Sequence, residues 1–514
     1  MSSHSNTNPP LASYDAAQEY LAGRIDYERM QSMPCGEEAF KLDRMREMLR
    51  LLGNPQQSVP IVHIAGTKGK GSTAAMIASI LSAAGRRTGL FTSPHLERVE
   101  ERMIVDGNIC EAEEFAELVR LVRPVVETMD RAAAERNPPE LGPTYFEILT
   151  AMALLHFTRQ KVDAAILEVG MGGRLDSTNV CQPLVSIITS ISFDHTKQLG
   201  DTLAAIAAEK AGIIKPGVPV VSGIVEEEPR RVIREIAQRQ GSRLVELGVD
   251  FDFDYRPASH AEQAATPGHV DFRYGPEGLL KKGTGSEPTD ANAAETGGRE
   301  APVPLFRHAA GNAVQHCNDI ALGLLGHHQA ANAAVAMTAC EELRRVGWDI
   351  PETAVRAGLA RVTWPARIEV VSRRPTVILD AAHNAASIAA LVKVLEESFC
   401  ARRRFLIFAT TREKDLRGML ECLLGRFDDV IFTRYRDNPR SMPPEKLQTL
   451  ALELSGTRYP ICGKPGDAWD AIRRLAQPAD LICITGSFFI AAEMRRELEL
   501  QPISHDVENA AEST

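Results

Sequence analysis

The sequence predicts an α/β protein built as two units, each a mainly parallel sheet covered by helices. Three observations carry this. Short β-branched apolar runs alternate with helix-length segments from residue 59 onward. A polar stretch at 255–304 breaks the alternation, which then resumes. The chain has 514 residues, too many for one ordinary core.

Residues 1–12 read as a polar tail. Residues 14–53 read as helical, with apolar positions Leu21, Ile25, Met30, Phe40, Leu42, Met45 and Leu49. Val59 to Ala65 is a buried strand, 66–71 a glycine-rich turn, and 72–84 a helix. A second strand follows at 88–92. Asp106-Gly107-Asn108 marks a hairpin turn within 103–110. Helices are expected near 112–134, 144–160 and 201–212, and strands at 164–169 and 184–190.

Residues 255–304 are rich in Gly, Ala, Thr, Glu and Pro and read as a solvated insertion, with a structured lid as the alternative. Helical patterning returns at 327–346. Around Thr363-Trp364-Pro365 the chain crosses to the second unit, giving units of 1–365 and 366–500 and a tail of 501–514. The second unit alternates strands at 376–380, 404–409, 428–433 and 481–485 with helices at 385–398, 415–424, 467–476 and 487–498.

Composition is that of a soluble globular protein, 44% hydrophobic and 25% charged. A formal net charge of -10 argues against general nucleic-acid binding but leaves room for a local cationic pocket. The nine cysteines are scattered without a CxxC pair, which points to a reducing compartment. The first thirty residues lack an apolar signal region, and no run of about 18 apolar residues occurs. The expectation is a cytoplasmic monomer acting on small molecules, with no nucleic-acid or membrane partner.

The segment Ile64-Ala65-Gly66-Thr67-Lys68-Gly69-Lys70-Gly71-Ser72-Thr73 joins a strand to a helix through glycines. Glycines let backbone N–H groups wrap an anion, the helix N-terminus favours negative charge, and Lys70 can reach terminal phosphates. The strict Walker A pattern fails, because Ile64 stands where the first glycine belongs and Gly71 where Ser or Thr belongs. A plain strand–helix turn is the competing reading; its place after a buried strand favours phosphate.

Glu168 closes the strand AAILE before Met171-Gly172-Gly173-Arg174, where a magnesium ligand would stand; a helix cap or surface ion pair is the alternative. Asp194-His195 follows VSIITSIS at the same edge of the sheet, although histidine is a less usual magnesium partner. Lys210 lies near a helix end, where the dipole favours any cation.

Nine ordered blocks between about 15 and 498 together resemble the folylpolyglutamate synthase/dihydrofolate synthase family of the Mur ligase superfamily. They are GTKGKGST (66–73), TSPHLERVEERM (92–103), TYFE (144–147), LEVGMGGRLDSTNV (167–180), SFDHTKQLGDTLAAIAAEKAGIIKPG (192–217), GHHQAANAAVA (326–336), TWPARIE (363–369), LDAAHN (379–384) and TGSFFIAAEMR (485–495). The resemblance implies a P-loop-type, ATP-binding N-terminal domain and a smaller Rossmann-like C-terminal domain. It implies that residues 66–72 and Asn332, Arg367, Asp380 and His383 serve the nucleotide. It implies magnesium at Ser93, Glu168 and His195, with Lys70 and His195 catalytic and Lys210 carbamylated. Thr144 and the turn Leu175-Asp176-Ser177 match the pterin region. Lys68 stands where many members have Asn, and Ala366 and Ala381 replace family glycines.

The implied reaction is magnesium-dependent ligation of L-glutamate to a folate or to dihydropteroate at the expense of ATP, through an acyl phosphate. A cell-wall Mur ligase is the nearest alternative, but only about 58 residues precede the first strand, too few for the extra substrate domain. A phosphotransferase on the same loop, and a non-catalytic ATP-binding module, are the alternatives from other classes.

Overall fold

The computed structural model describes residues 13–28, 42–136, 140–261, 264–275, 315–412, 414–436 and 438–500. Its elements run α1 (Tyr14–Ala22), α2 (Leu42–Leu51), β1 (Ile61–Ala65), α3 (Lys70–Ala83), β2 (Thr88–Phe91), β3 (Met103–Val105), β4 (Asn108–Ile109), α4 (Ala112–Ala134), α5 (Tyr145–Arg159), β5 (Ala164–Glu168), β6 (Val185–Ile188), α6 (Thr196–Leu199), α7 (Leu203–Ala211), β7 (Val220–Ser222), α8 (Glu227–Arg239) and β8 (Leu244–Glu246). Then come β9 (Phe251–Arg256), β10 (Ser259–Ala261), β11 (Ala264–Thr266), β12 (Gly268–Tyr274), β13 (Gln315–Leu322), α9 (His327–Arg345) and α10 (Glu352–Arg361). The last part is β14 (Glu369–Arg373), β15 (Thr376–Leu379), α11 (Ala385–Ser398), β16 (Arg404–Phe408), α12 (Leu416–Leu423), β17 (Asp429–Phe432), α13 (Pro444–Ser455), α14 (Pro465–Arg473), β18 (Leu481–Thr485) and α15 (Phe488–Glu497).

The first sheet has the order β4-β3-β2-β5-β1-β6-β7-β8. It is parallel from β2 to β8, and the β3–β4 hairpin adds antiparallel strands at one edge. Every residue of β1 and β5 is buried, as a sheet covered on both faces demands. Val62 and Ile64 pack toward α3 and α9, in one core cluster with Ile77, Ala333 and Met337. Ile61 packs into the other, with Phe115 of α4 and Leu149 of α5. Register pairs Ile64 with Glu168 and Ala65 with Ile188, so the carboxyl ends of β5, β1 and β6 open on one edge. The second sheet, β14-β15-β18-β16-β17, is parallel except for β14.

Two expectations need correction. The span 14–53 is not one helix: α1 stops at Ala22, Gly23 to Glu28 is turn and coil, and helix is next described from Leu42. Residues 255–304 are not wholly a solvated insertion. Their first part supplies β10, β11, β12 and the end of β9, and β9, β12 and β13 form an antiparallel sheet that buries Val270, Phe272 and Tyr274. The alternation Val270, Phe272, Tyr274 carries the period-two signal, which the Gly- and Pro-rich composition downstream masked. Residues 276–304 and the tail 501–514 lie outside the described residues.

Candidate functional site

The loop between β1 and α3 is built by backbone conformations that suit glycine. Gly66 and Gly69 have φ of 153° and 81°. Space enforces the same choice: a Cβ on Gly66 would collide with the Thr189 hydroxyl, and one on Gly69 with the side-chain amide of Asn332. The residues after β6 lace the loop down. The Thr67 N–H donates to the Ser190 carbonyl at 2.7 Å, the Lys68 N–H to Ser190 Oγ at 2.9 Å, and Thr189 Oγ1 donates to the Lys68 carbonyl at 2.6 Å. α3 then starts at Lys70, its first N–H groups free for an anion.

Lys70 Nζ stands 3.9 Å from Glu168 Oε1, while the Ser93 N–H donates to Glu168 Oε2 at 3.2 Å. Burial raises the pKa of Glu168, and Lys70, the Ser93 N–H and Arg367 work in the opposite direction. Lys210 reaches from the end of α7 behind the loop, where its amine donates to the Gly66 carbonyl at 3.0 Å. Burial first, then the charge of Lys70, pushes its pKa down to about 7.

His195 caps the short α6 with φ of 50°. It is enclosed by the cleft although its side chain is 45% exposed, and its Nε2 lies 3.9 Å from Asp194 Oδ1. Desolvation lowers its pKa; Asp194 opposes this, and Lys414, Lys70 and Lys210 reinforce it. Burial works to raise Asp194, but His195, Lys414 and His383 outweigh it and hold the carboxylate below its ordinary range.

The opposite wall comes from the C-terminal domain. Asp380 accepts the N–H groups of Ile368 at 3.0 Å and Ala382 at 2.8 Å, which fixes the backbone on either side of the site. Arg367 lies over the Phe488 ring at 4.7 Å, and His383 faces the same ring. Burial pushes His383 down to about 4. Ala366 has φ of 55°, so this departure from glycine falls at a left-handed position, whereas Ala381 is not among the positive-φ residues.

These walls enclose a cleft of roughly 1520 Å³. All the candidate site residues line it except Gly66, the first residue of the loop, and Lys210, which sits behind the loop. Thr144 and Asp176 line it with their polar groups already engaged. Thr144 caps α5, exchanging hydrogen bonds with Glu147, which Arg44 also grips at 2.8 Å. Asp176 accepts N–H groups from Gly170, Met171 and Thr178. Among the described residues no three His, Cys, Asp or Glu side chains converge on a cation site, and the predicted set Ser93, Glu168 and His195 holds only two of that kind.

Sequence reasoning passed over Lys414, whose amine lies 3.6 Å from Asp194 across the cleft. It also gave no role to Arg102, almost wholly buried, which pairs with both oxygens of Glu28 and donates to His95 Nδ1 at 2.9 Å. Lys414 follows the carboxyl end of β16, which was the available signal. Arg102 lies inside one of the nine blocks, but nothing local marks it as buried.

Residues 64–273 match the Mur ligase middle domain, and 366–488 the Mur ligase glutamate ligase domain. The dihydrofolate synthase/folylpolyglutamate synthase of Bacillus subtilis is 32% identical over 95% of this chain and 100% of its own length. Its Mycobacterium tuberculosis counterpart is 35% identical over 81% and 78%. Among solved structures, Mycobacterium tuberculosis folylpolyglutamate synthase complexed with ADP and AMPPCP superposes with a TM-score of 0.77 at 31% identity, covering 96% of this chain and 100% of that one. Escherichia coli FolC in complex with DHPP and ADP gives 0.73 at 27%, covering 96% and 99%.

Proposed function

The chain belongs to the folylpolyglutamate synthase/dihydrofolate synthase family of ATP-dependent ligases, and on that premise we propose that it joins L-glutamate to a folate-type carboxylate, with dihydropteroate and tetrahydrofolate as the two acceptor classes. The observation that carries this is the facing of two walls: the Lys70 loop on one side, Arg367, Asp380 and His383 on the other, around one cleft. Joining a carboxylate to an amine needs an acyl group activated by a phosphoryl donor and then kept from water; the loop on one wall serves the first need and a cleft that closes between two domains the second.

The acceptor carboxylate attacks the γ-phosphorus of ATP, giving an acyl phosphate and ADP. The glutamate amine then attacks the acyl carbon, the amide forms, and inorganic phosphate and a proton leave. Lys70 and the N–H groups at the start of α3 stabilise charge on the transferred phosphoryl group. Asn332, Arg367 and Asp380 hold the nucleotide. The turn 175–177 and the start of α5 form the wall for the pterin.

Glu168 and the Ser93 hydroxyl are oxygen donors suited to a hard cation, and a buried carboxylate whose nearest cation is 3.9 Å away would gain from one. His195, kept neutral by its surroundings, has a lone pair to offer at the same cleft. Magnesium, when bound there, supplies charge neutralisation at the phosphates. Lys210 is the candidate for carbamylation: a pKa near 7 leaves much of the amine neutral, the form that attacks carbon dioxide and loses a proton to give the carbamate. We place the domain boundary at 365/366 and the enzyme in the cytoplasm as a monomer. No helix among the described residues is long and apolar enough to cross a membrane.

The test is ADP release with magnesium, ATP and glutamate, offering dihydropteroate and tetrahydrofolate separately. Glutamate-dependent release with either is expected, and release with both makes the enzyme bifunctional. ADP release that ignores glutamate would favour a phosphotransferase, and silence with both acceptors would overturn the reading.

A further inference from the structure

Arg495 lies on α15, two turns beyond Phe488, and is 4% exposed. Its Nε donates to Glu97 Oε1 at 2.8 Å, and its Nη1 pairs with Glu369 Oε1. The two carboxylates come from different domains. Glu97 belongs to the loop that starts at Ser93, and that loop is firm: the N–H groups of Leu96, Glu97 and Arg98 all donate to the Glu101 carboxylate, at 2.8–2.9 Å. Glu369 opens β14, and its other oxygen accepts the Ala366 N–H at 2.9 Å. Ala366 immediately precedes Arg367. The turn is thus pinned on both sides, by Glu369 at Ala366 and by Asp380 at Ile368.

We propose that Arg495 is a positioning residue that couples closure of the cleft to the placement of Arg367 beside the nucleotide; this rests on the function assigned above. α15 carries both ends of the linkage: Phe488, over which the Arg367 guanidinium lies, and Arg495, which grips the Ser93 loop. A buried guanidinium between two carboxylates satisfies both only when the domains are closed. Opening strands one charge of a buried pair, which is costly. The same movement takes Glu97 from Arg495 and leaves the Arg495–Glu369 pair without its anchor in the other domain, so the Glu369 carboxylate that holds Ala366, and with it the Arg367 turn, is firm in the closed state and looser in the open one.

Glu97→Gln removes the cross-cleft charge and leaves the Arg495–Glu369 pair inside the C-terminal domain. Arg495→Gln removes both, and Arg495→Lys, lacking the two-pronged fork, can keep only one. Each variant and the unaltered protein are assayed for KM of ATP, for amide formed per ADP released, and for melting temperature. The expected result is a rise of about tenfold or more in KM for ATP in Glu97→Gln and Arg495→Gln, a smaller rise in Arg495→Lys, and ADP released in excess of amide, since an imperfectly closed cleft admits water to the acyl phosphate. A lower melting temperature with unchanged KM and one amide per ADP would mean the ion pairs are only structural, and would overturn the coupling. If Arg495→Gln fails to fold, Glu97→Gln decides alone. An unaltered protein without glutamate-dependent turnover would instead overturn the assigned function; an active one with unchanged variants overturns the coupling only.

Discussion

The Lys210 amine donates to the Gly66 carbonyl at 3.0 Å, tying the end of α7 to the first residue of the phosphate loop. An amine there is expensive in its charged form, and burial with nearby Lys70 lowers its pKa from 10.5 to about 7. Between those two values the unfolded chain holds a proton that the folded chain does not, so this group makes stability rise with pH across the window. Lys210→Met abolishes that titration. In carbon dioxide-free buffer the variant should be more stable than the unaltered protein, most of all below pH 7, with the advantage shrinking toward pH 10.5, and it should lack ligase activity. Denaturation midpoints of both proteins at pH 6.5 and 9 check this; a difference that does not change with pH would contradict a neutral buried amine.

Lys70 and Glu168 form the floor of the site, 3.9 Å apart. Lys70→Ala removes a charge aimed at the transferred phosphoryl group and should lower kcat/KM for ATP by about 10²–10³-fold. Its attraction to Glu168 at 3.9 Å is weak and is offset by repulsion from Lys210, so the circular-dichroism melt should stay close to that of the unaltered protein. Glu168→Gln removes a hard anionic donor and should move the magnesium activation curve to concentrations at least about tenfold higher. An unmoved curve would dismiss Glu168 as a ligand.

Ala366 stands at φ of 55° with its methyl fully buried beside Ala381, Ala491 and Phe488. The left-handed conformation costs an alanine about 1–2 kcal/mol relative to its usual one. Ala366→Gly relieves that strain but gives up a buried methyl, about 0.8 kcal/mol, and loosens the unfolded chain by a further 0.4–1 kcal/mol or so. The opposing quantities nearly cancel, so Ala366→Gly should change stability by less than about 1 kcal/mol. Ala366→Val adds a β-branched side chain at positive φ in a filled space and should cost roughly 2 kcal/mol or more. Urea unfolding of both variants settles the matter; a strongly stabilised glycine variant would mean that the buried methyl contributes almost nothing.

Much of this architecture could be read from the chain because its signals are local. The helix over 112–134 and the strand over 481–485 coincide with α4 and β18, and 385–398 with α11, whose Asn384 cap is a side chain adjacent in sequence. The glycine-rich turn between β1 and α3 was legible for the same reason. Three kinds of feature were not. β7, β8 and β14 are short or sit at sheet edges, where tertiary pairing rather than pattern makes the strand. α8, α10 and α13 went unread although α8 has a plain apolar stripe of Pro229, Ile233 and Ala237. The contacts Lys414–Asp194 and Arg495–Glu97 join residues hundreds of positions apart, and only the approach of two domains creates them.

Thr144 matches the pterin region, yet its groups serve the helix that follows it. Its N–H and hydroxyl donate to Glu147 Oε2 at 2.8 and 3.0 Å, and the Glu147 N–H returns to the hydroxyl at 3.4 Å. Arg44 of α2 grips the same carboxylate, so the cap also anchors α2 to α5. Thr144→Ala should therefore cost about 1 kcal/mol of stability, and Thr144→Ser should recover most of it. KM for the folate substrate should change little in either, because the hydroxyl's donor and acceptor are already engaged. An alanine variant with unaltered stability and a KM raised tenfold would instead make the hydroxyl a substrate contact, with its bond to Glu147 giving way when the pterin binds.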